Sequence, residues 1–191
     1  MFLKGDKCYT QKCPIVKRNY PPGLHGPKGR GRTTGYGLQL REKQKAKRIF
    51  GILETQFRNY FEKAINKTGD TGDTFYKLLK MRLDNVVYEA GFSKSRKQAR
   101  QLVSHGHILV NDKKVNIPSY QLKANDKITL KKKSLESKFV KDLTAKIEKY
   151  EVPAWIYLEK KNLEAKILEL PSYDAKTAPF SMKLIIEFYS R

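Results

Sequence analysis

The sequence predicts an α+β protein. A mostly helical domain is built from N-terminal and C-terminal segments, a small helix-turn-helix and β-hairpin module is inserted between them, and a basic arm precedes them. Three observations predict this. Apolar residues recur at three- and four-residue steps over residues 46–64 and again over residues 75–90, the period of helices with one buried face. Residues 95–130 carry a capped helix and then three short apolar runs separated by Asn and Asp turns. Residues 20–37 hold three Pro and six Gly, which deny that stretch a regular helix or central strand.

The arm comes first. Lys28, Arg30 and Arg32 sit on a backbone that approaches phosphates closely because its glycines lack side chains, and Tyr20 and Tyr36 are placed to stack on unpaired bases. The bland alternative is a disordered tail; aromatics at both ends favour ordering on a polyanion. Cys8 and Cys13 form a C-x4-C pair with His25 as a third candidate ligand, but structural zinc needs four ligands, so two free thiols are expected. Two thiols without a signal peptide fit a reducing compartment.

A helix is expected from Leu38, crowded at its start by Arg41, Lys43, Lys45, Lys47 and Arg48, then apolar on one side through Ala64. After the turn at residues 68–73, a second long helix with Phe75, Leu79, Leu83, Val86 and Val87 is expected to end at Gly91, a C-cap glycine. The next helix is capped by Ser95, with Gln98 completing a capping box. Ala99, Leu102 and Val103 form its buried stripe and Arg96, Lys97 and Arg100 are expected to point outward. Strands are expected at residues 108–110 and 115–117 around Asn111-Asp112, and at 128–130 after the turn at Asn125. His105 and His107 flank Gly106 without a Cys or carboxylate partner, so they suit hydrogen bonding or phosphate contact better than metal.

Beyond residue 133, Phe139, Val140, Leu143, Ile147 and Tyr150 form one side of a helix, Trp155 is expected to pack, and residues 184–189 read as a closing strand. The expected division is an arm (1–37), a first helical part (38–81), the module (82–133) and a second helical part with the closing strand (134–191).

Charge separates the function classes. The chain has 40 Lys and Arg against 19 Asp and Glu, a formal charge of +21, an excess that a bound polyanion neutralises. Residues 1–50 carry a net +11 and residues 67–133 a net +9, whereas residues 134–191 carry only +1. The arm and the module are therefore expected to face nucleic acid, with binding that weakens steeply in salt. No apolar run approaches the ~20 residues of a membrane span, so the polyanion is not expected to be a membrane. No phosphate-binding Gly-rich consensus, Ser/His/Asp set or metal-ligand cluster marks an enzyme.

The stretches YPPGLHG, YGLQLREKQKAKRIFGILETQFRNYF, RLDNVVYEAGF, ARQLVSHGHILVN and the terminal EFYSR resemble, in the same order, the small-subunit ribosomal protein S-four family, across essentially the whole chain. The central module is similar to the small RNA-binding domain named after that protein. That domain also occurs in pseudouridine synthases and tyrosyl-tRNA synthetases, which would not bring the arm and tail with it.

The resemblance implies a primary assembly protein that binds the five-way junction in the 5′ domain of small-subunit rRNA. It implies ribosomal proteins S-three and S-five as neighbours around the channel by which mRNA enters, an influence on decoding accuracy, and in some bacteria repression of the protein's own operon mRNA. The setting it implies is the cytoplasmic small subunit, with no enzyme activity and no cofactor. A purely regulatory mRNA binder would use the same surface.

Carried onto this chain, RNA contact falls to the arm and the basic helix start: Arg18, Tyr20, His25, Lys28, Arg30, Arg32, Tyr36, Arg41 and Lys45. In the module it falls to Arg82, Ser93, Lys94, Arg96, Lys97, Arg100, Gln101, His105, Asn111 and Lys113. Arg96→Ala and Arg100→Ala are each expected to weaken rRNA binding by about 1 kcal/mol and to lower its salt slope. Many family members carry a C-x2-C pair ahead of the C-x4-C pair, completing a zinc site. Here Met1 lies close before Cys8, so either the natural chain is longer or this lineage lacks the metal; on these residues no metal is expected.

Overall fold

In the computed structural model residues 3–28, 32–131, 147 and 150–190 are described, and two compact units emerge: residues 1–49 with 174–191, and residues 50–173. In the first unit, a 3-10 turn (Gly5–Tyr9) and a short helix α1 (Pro14–Lys17) lead to α2 (Gly35–Phe50). Helix α2 starts three residues earlier than expected because the Thr34 hydroxyl accepts the Gly37 N–H at 3.1 Å and caps it.

Helix α7 (Met182–Tyr189) lies against α2 and corrects the strand expected at residues 184–189. That run is apolar almost throughout, so periodicity alone does not separate helix from strand. Contact with α2 decides it. Gln39 Nε2 donates to Glu187 at 2.9 Å, the Ser181 N–H donates to Glu42 at 2.8 Å, and Met182 and Ile185 are buried. Glu42 also places a negative charge at the helix N-terminus, where exposed N–H groups favour it.

The second unit opens with α3 (Glu54–Ile65) and α4 (Thr71–Lys80), locked by Phe75 between Phe57 and Phe61 in edge-to-face contacts of 5.0 and 5.6 Å. Both expected long helices are broken in two. The first breaks at Gly51, which has φ +64°. The second breaks at Met81 and Arg82, where the loop at residues 118–122 takes the backbone: Leu122 N–H donates to the Met81 carbonyl and Leu83 N–H to the Tyr120 carbonyl, both at 2.9 Å. Helix α5 (Leu83–Glu89) follows and closes at Gly91, φ +82°, where a Cβ would lie 2.8 Å from the Tyr150 ring. Helix α6 (Arg96–Ser104) comes next.

Among the described residues a five-stranded antiparallel sheet follows: β1 (Ile108–Val110), β2 (Lys113–Lys114), β3 (Lys127–Leu130), β4 (Ile156–Glu159) and β5 (Glu164–Ile167), in the order β2-β1-β3-β5-β4. The second strand sits two residues earlier than expected. Asn111 and Asp112 both take positive φ (48° and 63°), the two-residue turn that lets Val110 pair with Lys113 at once.

Strands β4 and β5 come from the last third, which was expected to fold back on the N-terminal helices. Instead they extend the module's sheet, and only residues 174–191 join the first segment. The core of this unit joins Val86, Val87, Ala99 and Val103 to Ile108, Ile128, Ile156, Ala165 and Ile167, with Trp155 packed among them as expected. Phe139, Val140 and Leu143 of the expected helix lie outside the described residues.

Asp73 ties the end of this unit to α4. Its Oδ1 accepts the Tyr173 N–H at 2.9 Å and its Oδ2 pairs with Lys77. Partial burial pushes this carboxyl up, but the Lys77 hydrogen bond, the Tyr173 N–H and the Lys77 charge outweigh it and hold the pKa below the usual aspartate value. A depressed folded-state pKa stabilises above the unfolded value and is lost as pH falls through the folded one. Wild-type melting temperature should therefore fall more steeply than that of Asp73→Asn as pH drops below about 4; parallel curves would remove this role.

Candidate nucleic-acid interface

Helix α6 divides cleanly. Ser95 caps it by accepting the Gln98 N–H at 3.3 Å, while the Gln98 side chain takes the Lys94 N–H at 2.9 Å, one residue ahead of the usual capping-box partner. Ala99 and Val103 are fully buried, and Lys97, Arg100, Gln101 and Ser104 form the exposed stripe at helical spacing. Lys94 lies exposed just before it and His105 just after. One Arg100 N–H donates to the Gly51 carbonyl at 3.2 Å, which steadies a guanidinium whose other donors stay available.

Arg96 is not part of that stripe. Its Nε donates to Asn85 Oδ1 at 2.7 Å and its Nη2 to Glu89 at 3.0 Å, with the guanidinium over the Tyr88 ring at 4.4 Å. Glu89, 5% exposed, holds both Arg96 and Lys80, the latter at 2.6 Å. Arg82, also expected to contact RNA, lies deeper still. It is 1% exposed and makes two hydrogen bonds to Asp84, at 3.0 and 2.7 Å, and one to the Tyr60 hydroxyl at 2.9 Å. Burial pushes the Arg82 pKa down, yet Asp84 and Tyr60 outweigh it, so the group stays charged as a buried ion pair. Ser93 is also buried, donating to the Ser95 carbonyl at 3.2 Å.

Sequence spacing does not show which way a long cationic side chain turns at the edge of a helix; the acidic residue it meets decides that. The effect expected of Arg96→Ala changes accordingly. It should cost about 1–3 kcal/mol of stability, the penalty for uncoupling a buried charged group, and leave the salt slope of RNA binding unaltered. Urea titration alongside binding at several salt concentrations checks both; a shallower slope with unchanged stability would restore Arg96 to the interface.

The hairpin adds to the face. Asn111 is exposed, but its side chain is spent locally: Nδ2 donates to Asp126 at 2.8 Å and Oδ1 accepts the Lys127 N–H at 2.9 Å. It shapes the turn that displays Lys113. Lys114 escaped the sequence reading. It is exposed, and its stem crosses Gly106, whose missing Cβ (φ +71°) leaves room for it, bringing its ammonium to Gly106 just past the C-terminal end of α6. The signal was present in the sequence, a lysine pair after a two-residue turn facing a glycine, but the pairing needed the register.

In the other unit Arg18, Tyr20, His25, Lys28 and Arg32 are exposed along the arm, and Arg30 lies outside the described residues. Tyr36, half exposed, rests against Phe188 with ring centroids 5.7 Å apart. Arg41 is exposed and donates to Thr33 at 3.2 Å, and Lys45 lies 3.5 Å from Glu42. Cys8 and Cys13 are free thiols, and among the described residues no group of three or more His, Cys, Asp or Glu side chains is placed to hold a metal. No described helix is long and apolar enough to cross a membrane.

A cationic helix and hairpin on a small sheet, following a helical N-terminal segment in sequence, is the arrangement expected of an RNA-binding module of ribosomal type. The family model described as "Ribosomal protein S4/S9 N-terminal domain" matches residues 1–80, and the "S4 domain" model matches residues 81–128. Among curated relatives, the small ribosomal subunit protein uS4 of Natranaerobius thermophilus is 48% identical over all 191 residues of this chain and 91% of its own length. Those of Pelotomaculum thermopropionicum and Dictyoglomus turgidum are each 51% identical over the same spans. The chain belongs to the small ribosomal subunit protein uS4 family, a family of structural proteins and not of enzymes.

Proposed function

We propose that this chain is a structural rRNA-binding protein of the small ribosomal subunit in the cytoplasm, gripping RNA with the α6 stripe and its neighbouring hairpin. The observation that carries the reading is the exposed set Lys94, Lys97, Arg100, Gln101 and His105, with Lys113 and Lys114 beside it, on a helix whose opposite side is fully buried. Such a face is rigid and meets phosphates without reordering, which saves the entropy a flexible basic tail must lose. The arm supplies a second set around Tyr20, Lys28 and Arg32.

By family resemblance, the target is the five-way junction in the 5′ domain of small-subunit rRNA, bound early in assembly. The same resemblance supports neighbouring ribosomal proteins S-three and S-five, a place at the channel by which mRNA enters, and a contribution to decoding accuracy. Chemical footprinting of the purified chain on full-length small-subunit rRNA tests the target: protection confined to the 5′ domain is expected, and protection elsewhere or none would overturn it. Sedimentation of cell extracts separates a ribosomal protein from a free mRNA regulator, since absence from small subunits would leave only the regulator.

A further inference from the structure

The sheet has a second side. Tyr157 of β4 stands opposite Lys166 of β5, and Lys166 opposite Lys127 of β3, so the three form one row across the strands. The row faces away from the helices, because the residues that alternate with it, Ile156, Ala165, Ile167 and Ile128, belong to the core. Tyr157 is 57% exposed and Lys166 is exposed.

Like charges directly opposite each other weaken a sheet. Lys127 is relieved by Glu164 at 2.7 Å, while Lys166 makes no ion pair among the described residues. At its other end the row meets the Asn111 turn, since Asn111 and Lys127 exchange two hydrogen bonds of 2.9 Å. From Tyr157 to that turn is roughly 15 Å, three strand spacings.

A bare phenol ring beside a free ammonium is the pairing that holds an unpaired nucleotide, with the base stacked on the ring and the phosphate on the cation. An acidic peptide would also be drawn to the lysines, but it has no use for an open ring face in line with the Asn111 turn. We propose that the row of Tyr157, Lys166 and Lys127 binds a single-stranded RNA segment, one base on Tyr157 and its phosphate on Lys166. This continues the RNA surface around the sheet and rests on the RNA-binding reading above. The nearly neutral charge of the last third hides the row, because Lys127 comes from the module and Lys166 from the tail.

The test is anisotropy titration of the full chain with a fluorescein-labelled oligouridine. Tyr157→Ala should weaken binding about five-fold or more, the loss of one stacked base, and Tyr157→Phe should bind like wild type. Lys166→Ala should lower the salt slope by about 0.7, one phosphate of a single strand. If Tyr157→Ala and Lys166→Ala both bind like wild type while Lys97→Ala and Arg100→Ala bind more weakly, the row is overturned and the α6 reading stands. If all four bind like wild type, the RNA-binding reading falls with it. In small subunits whose chain carries the photoreactive residue benzoylphenylalanine at position 157, that residue should cross-link to rRNA; a cross-link to protein alone would overturn the row in favour of a protein contact.

Discussion

Asp84→Ala should destabilise the second unit by about 3–5 kcal/mol, because it leaves the Arg82 guanidinium charged and buried without its carboxylate. This exceeds the cost expected of Arg96→Ala, since there Glu89 keeps Lys80 as a partner. Arg82 is 1% exposed and Asp84 4%, so water cannot take over the lost contacts, and the Tyr60 hydroxyl satisfies only one of five donors. The pair also sits where α4 breaks into α5, with the Asp84 N–H donating to the Pro118 carbonyl at 3.1 Å. Losing it loosens the loop that crosses this break. Against a typical domain stability of about 5–15 kcal/mol, such a loss is a large fraction. The urea midpoint should fall accordingly, whereas Arg82→Met with Asp84→Leu should lose far less, since an apolar pair carries no desolvation cost. Equal losses in the single and double variants would show that shape, not charge, holds this corner.

Lys94→Ala, Lys97→Ala and Arg100→Ala combined should weaken rRNA binding about 100-fold, at roughly 1 kcal/mol for each phosphate contact. The slope of log affinity against log salt should fall by about 3. A control that removes equal charge elsewhere in the same unit, Lys63→Ala, Lys67→Ala and Lys161→Ala, takes exposed lysines from α3, the turn after it and the β4–β5 turn, and should change little. If control and test weaken binding alike, total charge rather than position drives association. Stability should barely change in the test variant, because all three side chains are exposed. That separates it from Arg96→Ala, which should reverse the pattern.

Arg96 and Lys97 show where reading the sequence stops. They are adjacent in sequence and share a helix, and both looked outward. One is held by Asn85 and Glu89, the other is solvated. Helical period placed Ala99 and Val103 in the core because burying apolar area outweighs local detail. It did not place Arg96, whose stem is long enough to turn either way and whose partners lie on α5. Residues 184–189 failed for a related reason: apolar almost throughout, they suit a strand or a buried helix, and only Gln39 and Glu42 of α2 decide between them.

By itself the sequence determined the class of ligand, the amphipathic faces of the helices, the caps at Ser95 and Gly91, and the turns at Asn111 and Asn125. Each follows from the net charge or from interactions within a few residues. Only the tertiary structure decided that β4 and β5 extend the module's sheet, that Arg82 is buried and Arg96 is tied to Asn85 and Glu89, and that Lys114 and Tyr157 are displayed. The physical reason is the same in each case. These outcomes depend on partners far apart in the chain, and a cation's role is set by whether a buried carboxylate or a phosphate is within its reach.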